Sequence, residues 1–233
     1  MASVEGIEHI ADRLALNAAL PLPDYYRKVD IHQHPGGLWS DEIAGFVYER
    51  GARSTTPLMG KAHKDLHQRF TDFVADLGTT PSHILDMGCG FGKSTRPFYE
   101  TFKDAIVEAI DLSAPCLKVG AHEAGYCSKS TVRYRQMDAL TTDYDDNTFD
   151  LVTSTMLIHE LPPAEIDQLF AEATRVLAPG GRMVAKLFQG PEAQSFMAET
   201  KDCFLRTVLF KPAASRSESR EVFVVADGFK LGR

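Results

Sequence analysis

His83-Ile-Leu-Asp-Met-Gly-Cys-Gly-Phe-Gly-Lys93 is the stretch on which the fold depends. Ile84, Leu85 and Met87 form the short apolar run of a buried strand, and Gly88, Gly90 and Gly92 follow at alternate positions. A strand entering three spaced glycines predicts a tight turn before a helix, with backbone free to approach a ligand where any Cβ would collide. The spacing is Gly-x-Gly-x-Gly. It differs from the Gly-x-Gly-x-x-Gly of a dinucleotide turn, and Gly92-Lys93-Ser94 lacks the earlier glycine that a phosphate-binding Gly-Lys-Ser loop requires.

Working outward, the next elements arrive in order. Ala105 to Ile110 reads as a second apolar strand ending in Asp111 and Leu112, where an acidic residue is placed to accept hydrogen bonds from a ribose diol. Val132 to Met137 alternates as a third strand and ends in Asp138-Ala139; Phe149 to Thr153 is a fourth, followed by Ser154, Thr155 and Met156. A helix then closes on Ala178-Pro-Gly-Gly181 ahead of a fifth strand, Met183 to Phe188.

The pattern Leu85-Asp-x-Gly-x-Gly-x-Gly92, with these acidic strand ends, resembles motif I of the class I S-adenosylmethionine-dependent methyltransferases. The likeness covers roughly residues 60 to 233. It implies an α/β, Rossmann-like, doubly wound seven-stranded mixed sheet of order 3-2-1-4-5-7-6. The last two strands, near Thr207 to Lys211 and Glu221 to Ala226, would form an antiparallel pair. The cofactor implied is S-adenosyl-L-methionine, with S-adenosyl-L-homocysteine as product. Asp86, Gly88, Cys89, Gly90, Gly92 and Ser154 would hold it, Asp111 and Leu112 at the ribose and Asp138 and Ala139 at the adenine.

Composition agrees with a soluble enzyme: 233 residues, 44% hydrophobic with net charge -7, are enough for one sizeable core plus an added segment. No run approaches the length of a spanning helix, and Met1 to Asp12 has neither the basic flank nor the apolar centre of a secretory signal, so a cytoplasmic protein without a membrane partner is expected. Cys89, Cys116, Cys127 and Cys203 lack paired metal spacing, and no metal is expected.

Residues 1–80 read as an N-terminal helical cap before a domain of residues 81–233. Val4 to Leu20, Asp41 to Arg50 and Lys61 to Leu77 have helical spacing. Between the first two lies a turn-rich stretch holding Tyr25, Tyr26, His32, His34 and Trp39, a candidate lid over the reacting centre with contacts to the methyl acceptor.

Two regions offer the acceptor chemistry. Thr153 to Pro162 resembles the loop after strand four in small-molecule methyltransferases of the quinone-biosynthesis type, which makes His159 the first candidate base. The segment from about Leu177 to Lys230 instead resembles the FtsJ-like ribosomal RNA 2′-O-ribose methyltransferases. In that resemblance Lys186 and Glu221 match the second lysine and the glutamate of a Lys-Asp-Lys-Glu tetrad. Thr155 stands where the tetrad has its aspartate, and the first lysine would be Lys61 or Lys64.

Residues 1–181 carry 16 basic and 26 acidic side chains, net -10, whereas 182–233 carry 9 and 6, net +3. An acidic body is a poor partner for RNA, whose binding draws on phosphate neutralisation, although Lys211, Arg216, Arg220 and Lys230 supply a basic tail. Three readings stay open: methyl transfer to a small-molecule acceptor, ribose 2′-O-methylation of RNA, and a noncatalytic cofactor-binding or hybrid protein.

Overall fold

The computed structural model describes residues 10, 12–28, 37–39, 41–54, 60–78, 80–126, 131–155, 157–188, 191–211 and 221–230, with backbone alone at 53–54, 60–66, 191–193 and 221. The strands are β1 (Leu14–Ala15), β2 (His83–Met87), β3 (Ile106–Asp111), β4 (Thr131–Gln136), β5 (Phe149–Ser154), β6 (Leu177–Phe188), β7 (Phe204–Phe210) and β8 (Glu221–Phe229). The helices are α1 (Asp24–Arg27), α2 (Ala44–Ser54), α3 (Gly60–Asp76), α4 (Thr95–Thr101), α5 (Ala114–Tyr126), α6 (Pro163–Val176) and α7 (Pro191–Cys203), with a 3-10 turn at Ile158–Glu160.

The strands form one sheet of order β1-β4-β3-β2-β5-β6-β8-β7. From β4 onward this is the expected 3-2-1-4-5-7-6 arrangement, and β8 lies antiparallel between β6 and β7. The sheet nevertheless has eight strands among the described residues, not seven. Leu14–Ala15 adds in parallel to β4 at Tyr134 and Arg135, where a helix over Val4 to Leu20 was expected. The apolar spacing there suits either use, and the free edge of β4 decides it.

Parallel strands with helices on both faces are apolar throughout, and Ile84, Leu85, Asp86 and Met87 are all buried. Alternation sends Leu85, Met87, Val152 and Val224 to one core with Phe170 of α6 and Phe196 of α7. Ile84, Val107, Val184 and Phe223 go to the other, with Phe98 of α4 and Phe70 of α3. The Phe70 and Phe223 rings stack with centroids 4.2 Å apart, so α3 packs directly on the C-terminal half of the sheet.

α6 ends at Val176, earlier than its Pro-Gly-Gly signal suggested, because Leu177 already pairs with Phe149. The ladder resumes at Leu151 with Arg182, leaving Ala178 to Gly181 outside it, with Gly180 at φ 77°. Arg182 is buried: its Nε donates to Asp227 Oδ1 across the β6–β8 pair at 3.0 Å, and Nη1 to the Val74 carbonyl of α3 at 3.1 Å.

Candidate functional site

The glycine turn leaves β2 at the carboxyl edge of the parallel strands, the edge where open α/β sheets bind ligands. Gly88, Gly90 and Gly92 all have positive φ (73°, 54° and 84°), so the spacing reflects a backbone that side chains rarely adopt. A Cβ on Gly88 would lie 2.7 Å from Leu157 Cβ, and one on Gly92 would strike the Tyr134 hydroxyl. The turn is anchored sideways: Gly88 and Cys89 N–H groups both donate to the Ile110 carbonyl at 2.9 and 3.0 Å.

Asp111 follows Ile110 and sets the electrostatics. Its Oδ2 accepts from Gly90 N–H and its Oδ1 from Ser113 N–H, each at 2.8 Å. The Leu112 N–H also donates to this carboxylate, whose two oxygens still have acceptor capacity left for a ligand hydroxyl. Burial raises the Asp111 pKa, opposed by the hydrogen bonds from Ser113, Gly90 and Leu112. One strand further, Asp138 Oδ1 accepts from Leu140 N–H at 2.9 Å and from the Tyr25 hydroxyl at 3.4 Å. Burial raises this carboxyl too. Leu112 and Ala139 are buried beside these acids.

Asp86 sits beneath the turn. Thr95 donates to its Oδ2 at 2.6 Å and Ser94 at 3.4 Å, yet burial prevails and pushes its pKa up to about 7. Its Oδ1 and the hydroxyls of Ser154 and Thr155 are buried without a hydrogen-bond partner among the described residues. Such polar atoms are costly unless something satisfies them, and they lie at the strand ends that the turn opens onto. A glycine turn, two carboxylates at adjacent strand ends and these buried acceptors suit a ribose-bearing, partly cationic ligand. Burial holds the Cys89 thiol well above its ordinary pKa, so Cys89 fills space and offers no thiolate.

A second group of side chains, the candidate acceptor corner, gathers on β6 and the loop after β5. His159 Nε2 lies 3.1 Å from Glu160 Oε1, and its ring meets Phe188 edge-on at 5.3 Å. Lys186 is buried, with its ammonium 5.9 Å from the Phe188 ring centroid. Lys186 pairs across the ladder with Phe223, and Phe188 with Glu221, which puts positions 186, 188, 221 and 223 on one face. The structure therefore brings His159 and Lys186 to one corner and the Glu221 backbone to its rim; the side chain of Glu221 lies outside the description. Thr155 continues the strand from Ser154, the partner of Ala185, and no carboxylate stands there.

The described N-terminal aromatics contact the acidic strand ends and the glycine turn. Tyr25 reaches Asp138. Tyr26 is buried with Leu38, Phe91, Leu112 and Cys116, its hydroxyl near Asp111, and burial raises its pKa. Trp39 packs on the same cluster. The described aromatics thus gather at Asp138 and around Phe91 and Leu112, where Ser113 fastens the segment by donating to the Leu38 carbonyl. His32 and His34 lie outside the described residues. Tyr48 of α2, which sequence reasoning passed over, meets Phe91 of the turn at 5.3 Å; its helical position carried no local signal of that contact.

This geometry has a name. The fold is that of the class I S-adenosylmethionine-dependent methyltransferases. Residues 84–181 match the family model of a methyltransferase domain. The chain is similar to ribosomal RNA large subunit methyltransferase E of Caulobacter sp. (strain K31), 46% identical over 90 residues, covering 35% of this chain and 40% of that protein. It is also similar to phosphoethanolamine N-methyltransferase 2 of Caenorhabditis elegans, 33% identical over 121 residues, covering 52% of this chain and 26% of that one. Against the first of these relatives, then, the chain spans less than half of the relative's length.

Solved methyltransferases share the architecture at low identity. The Haemonchus contortus phosphoethanolamine N-methyltransferase 2 complex with S-adenosyl-L-methionine superposes with TM-score 0.53 at 18% identity, covering 65% of this chain and 50% of that one. A Nostoc punctiforme putative O-methyltransferase gives 0.57 at 20%, covering 76% and 58%. Among the described residues no helix is long and apolar enough to cross a membrane.

Proposed function

We propose that this methyltransferase-fold chain binds S-adenosylmethionine and transfers a methyl group to a small-molecule acceptor. The observation that carries the reading is the glycine turn joined to Asp111 by the Gly90 N–H, with Asp138 one strand away. The cofactor supplies a methyl group already activated on sulfonium, so the protein's task is mainly orientation, worth on the order of 7 kcal/mol in favourable cases. Asp111 accepts from the ribose diol, and Asp138 from the adenine amino group. The Asp86 and Ser154 side chains receive the methionyl end.

On the acceptor side, His159 takes the proton and Glu160, 3.1 Å from its Nε2, orients the ring. Lys186 stabilises negative charge as it develops. Phe188 supplies an apolar wall to both.

The second reading, ribose 2′-O-methylation of RNA, is supported by Lys186 and Glu221 sharing a face, and by the similarity to a ribosomal RNA methyltransferase. Thr155 in place of a carboxylate and the net charge of -10 over residues 1–181 favour the small molecule. Calorimetric titration with S-adenosylmethionine, followed by radiolabelled transfer to total ribosomal RNA and to a small-metabolite extract, tests both. Label in the extract is expected; label in RNA alone would give the second reading the site, and binding without transfer would leave a noncatalytic protein.

A further inference from the structure

We propose that His67 of α3 contacts the acceptor, forming the wall of the pocket opposite His159 for an acceptor that presents a hydroxyl to Lys186; this rests on the methyl-transfer reading above. His67 is buried at 6% exposure. It lies on the inward face of α3 one turn before Phe70, whose ring stacks on Phe223 at 4.2 Å, and Phe223 is the cross-strand partner of Lys186.

The direction of the helix settles which end of the strands His67 occupies. One turn after Phe70, the Val74 carbonyl is held by Arg182, at the beginning of the β6–β8 pairing. From Val74 through Phe70 to His67, α3 therefore runs along β6 from Arg182 past Lys186 towards Phe188. That brings the imidazole to the carboxyl edge, level with the face shared by Lys186, Phe188 and position 221.

A helix packed on a sheet fills such a position with an apolar side chain, as Phe70 and Val74 do one and two turns later. A buried imidazole on the helix that covers the strand of a buried lysine is instead suited to hold a polar acceptor group. A cationic lysine on the same face disfavours an amine acceptor and favours a hydroxyl that gains negative charge during transfer. Among the described side chains, Lys186 of β6 and Tyr99 of α4 are charged or titratable groups on elements that pack in the same core as α3.

The test needs no acceptor. Sinefungin carries an amine where S-adenosylmethionine carries its methyl group, while S-adenosylhomocysteine carries nothing there. NMR titration of the imidazoles in the two complexes, with His67 assigned through His67→Gln, should show its pKa lower with sinefungin by about 0.3 unit or more, the least expected of a unit charge within roughly 10 Å. Lys186→Met should raise it. Identical His67 titration in both complexes, with both ligands bound, would overturn the inference and leave the methyl-transfer reading standing. Failure of either ligand to bind by calorimetry would overturn both.

Discussion

The glycine turn with its acidic strand ends and the corner holding His159 and Lys186 are built by different means. In the first, the candidate groups are fixed by backbone: three glycines at positive φ, Asp111 held by the N–H groups of Gly90, Ser113 and Leu112, and Asp138 by that of Leu140. In the second, His159 of the 3-10 turn meets Phe188 of β6, and Lys186 of the same strand reaches that ring, through side-chain contacts. The difference teaches that the turn tolerates almost no local change, whereas the corner can be rebuilt residue by residue without disturbing the turn.

The largest effect should come from attacking the backbone side at its tightest point. Gly92→Val puts a branched Cβ against the Tyr134 hydroxyl at φ 84°, and should cost about 3 kcal/mol or more in a urea melt. A variant as stable as the parent would mean that the turn yields, and the contrast between the halves would fail. Lys186→Met tests the other side. It should lower kcat on the order of 100-fold while S-adenosylmethionine affinity is retained, and an equal loss of both would show the halves to be coupled.

Asp111→Ala should weaken S-adenosylmethionine by roughly 1–3 kcal/mol, read by calorimetry. Unchanged affinity would make Asp111 a brace for the turn and nothing more. The smallest effect is a pH trend. Burial raises Asp86 from 3.8 in the unfolded chain to about 7, against hydrogen bonds from Thr95 and Ser94. The folded protein therefore keeps this proton longer than the unfolded one. The associated stability is complete below pH 3.8 and is lost as pH rises through about 7. Between pH 6 and 8 the ligand-free parent should lose on the order of 1 kcal/mol relative to Asp86→Asn. A constant gap between the two melts would place the proton elsewhere.

The glycine turn and the acidic strand ends were legible in the sequence because their signals are local. Glycine spacing and acids at strand ends need only their neighbours, and the order of seven strands follows from the same family of motifs. β1 escaped because two residues cannot outweigh an apolar spacing that also suits a helix. Tyr25 finds Asp138 113 residues away, a pairing no local pattern encodes. His67 was missed for a related reason. Helical spacing shows that α3 has an inward face, but only the stacking of Phe70 on Phe223 shows what lies beneath it.

Arg182 holds one carboxylate and one carbonyl, and only the first depends on the identity of its partner. Asp227 faces Arg182 across the β6–β8 ladder, so the ion pair is internal to the C-terminal strands. The second bond lands on the Val74 carbonyl, which every residue at that position supplies, whereas the stack of Phe70 on Phe223 needs a ring on each side. α3 is thus fastened to the sheet by one contact indifferent to its sequence and one that is not, and drift at Val74 leaves the first in place while drift at Phe70 undoes the second.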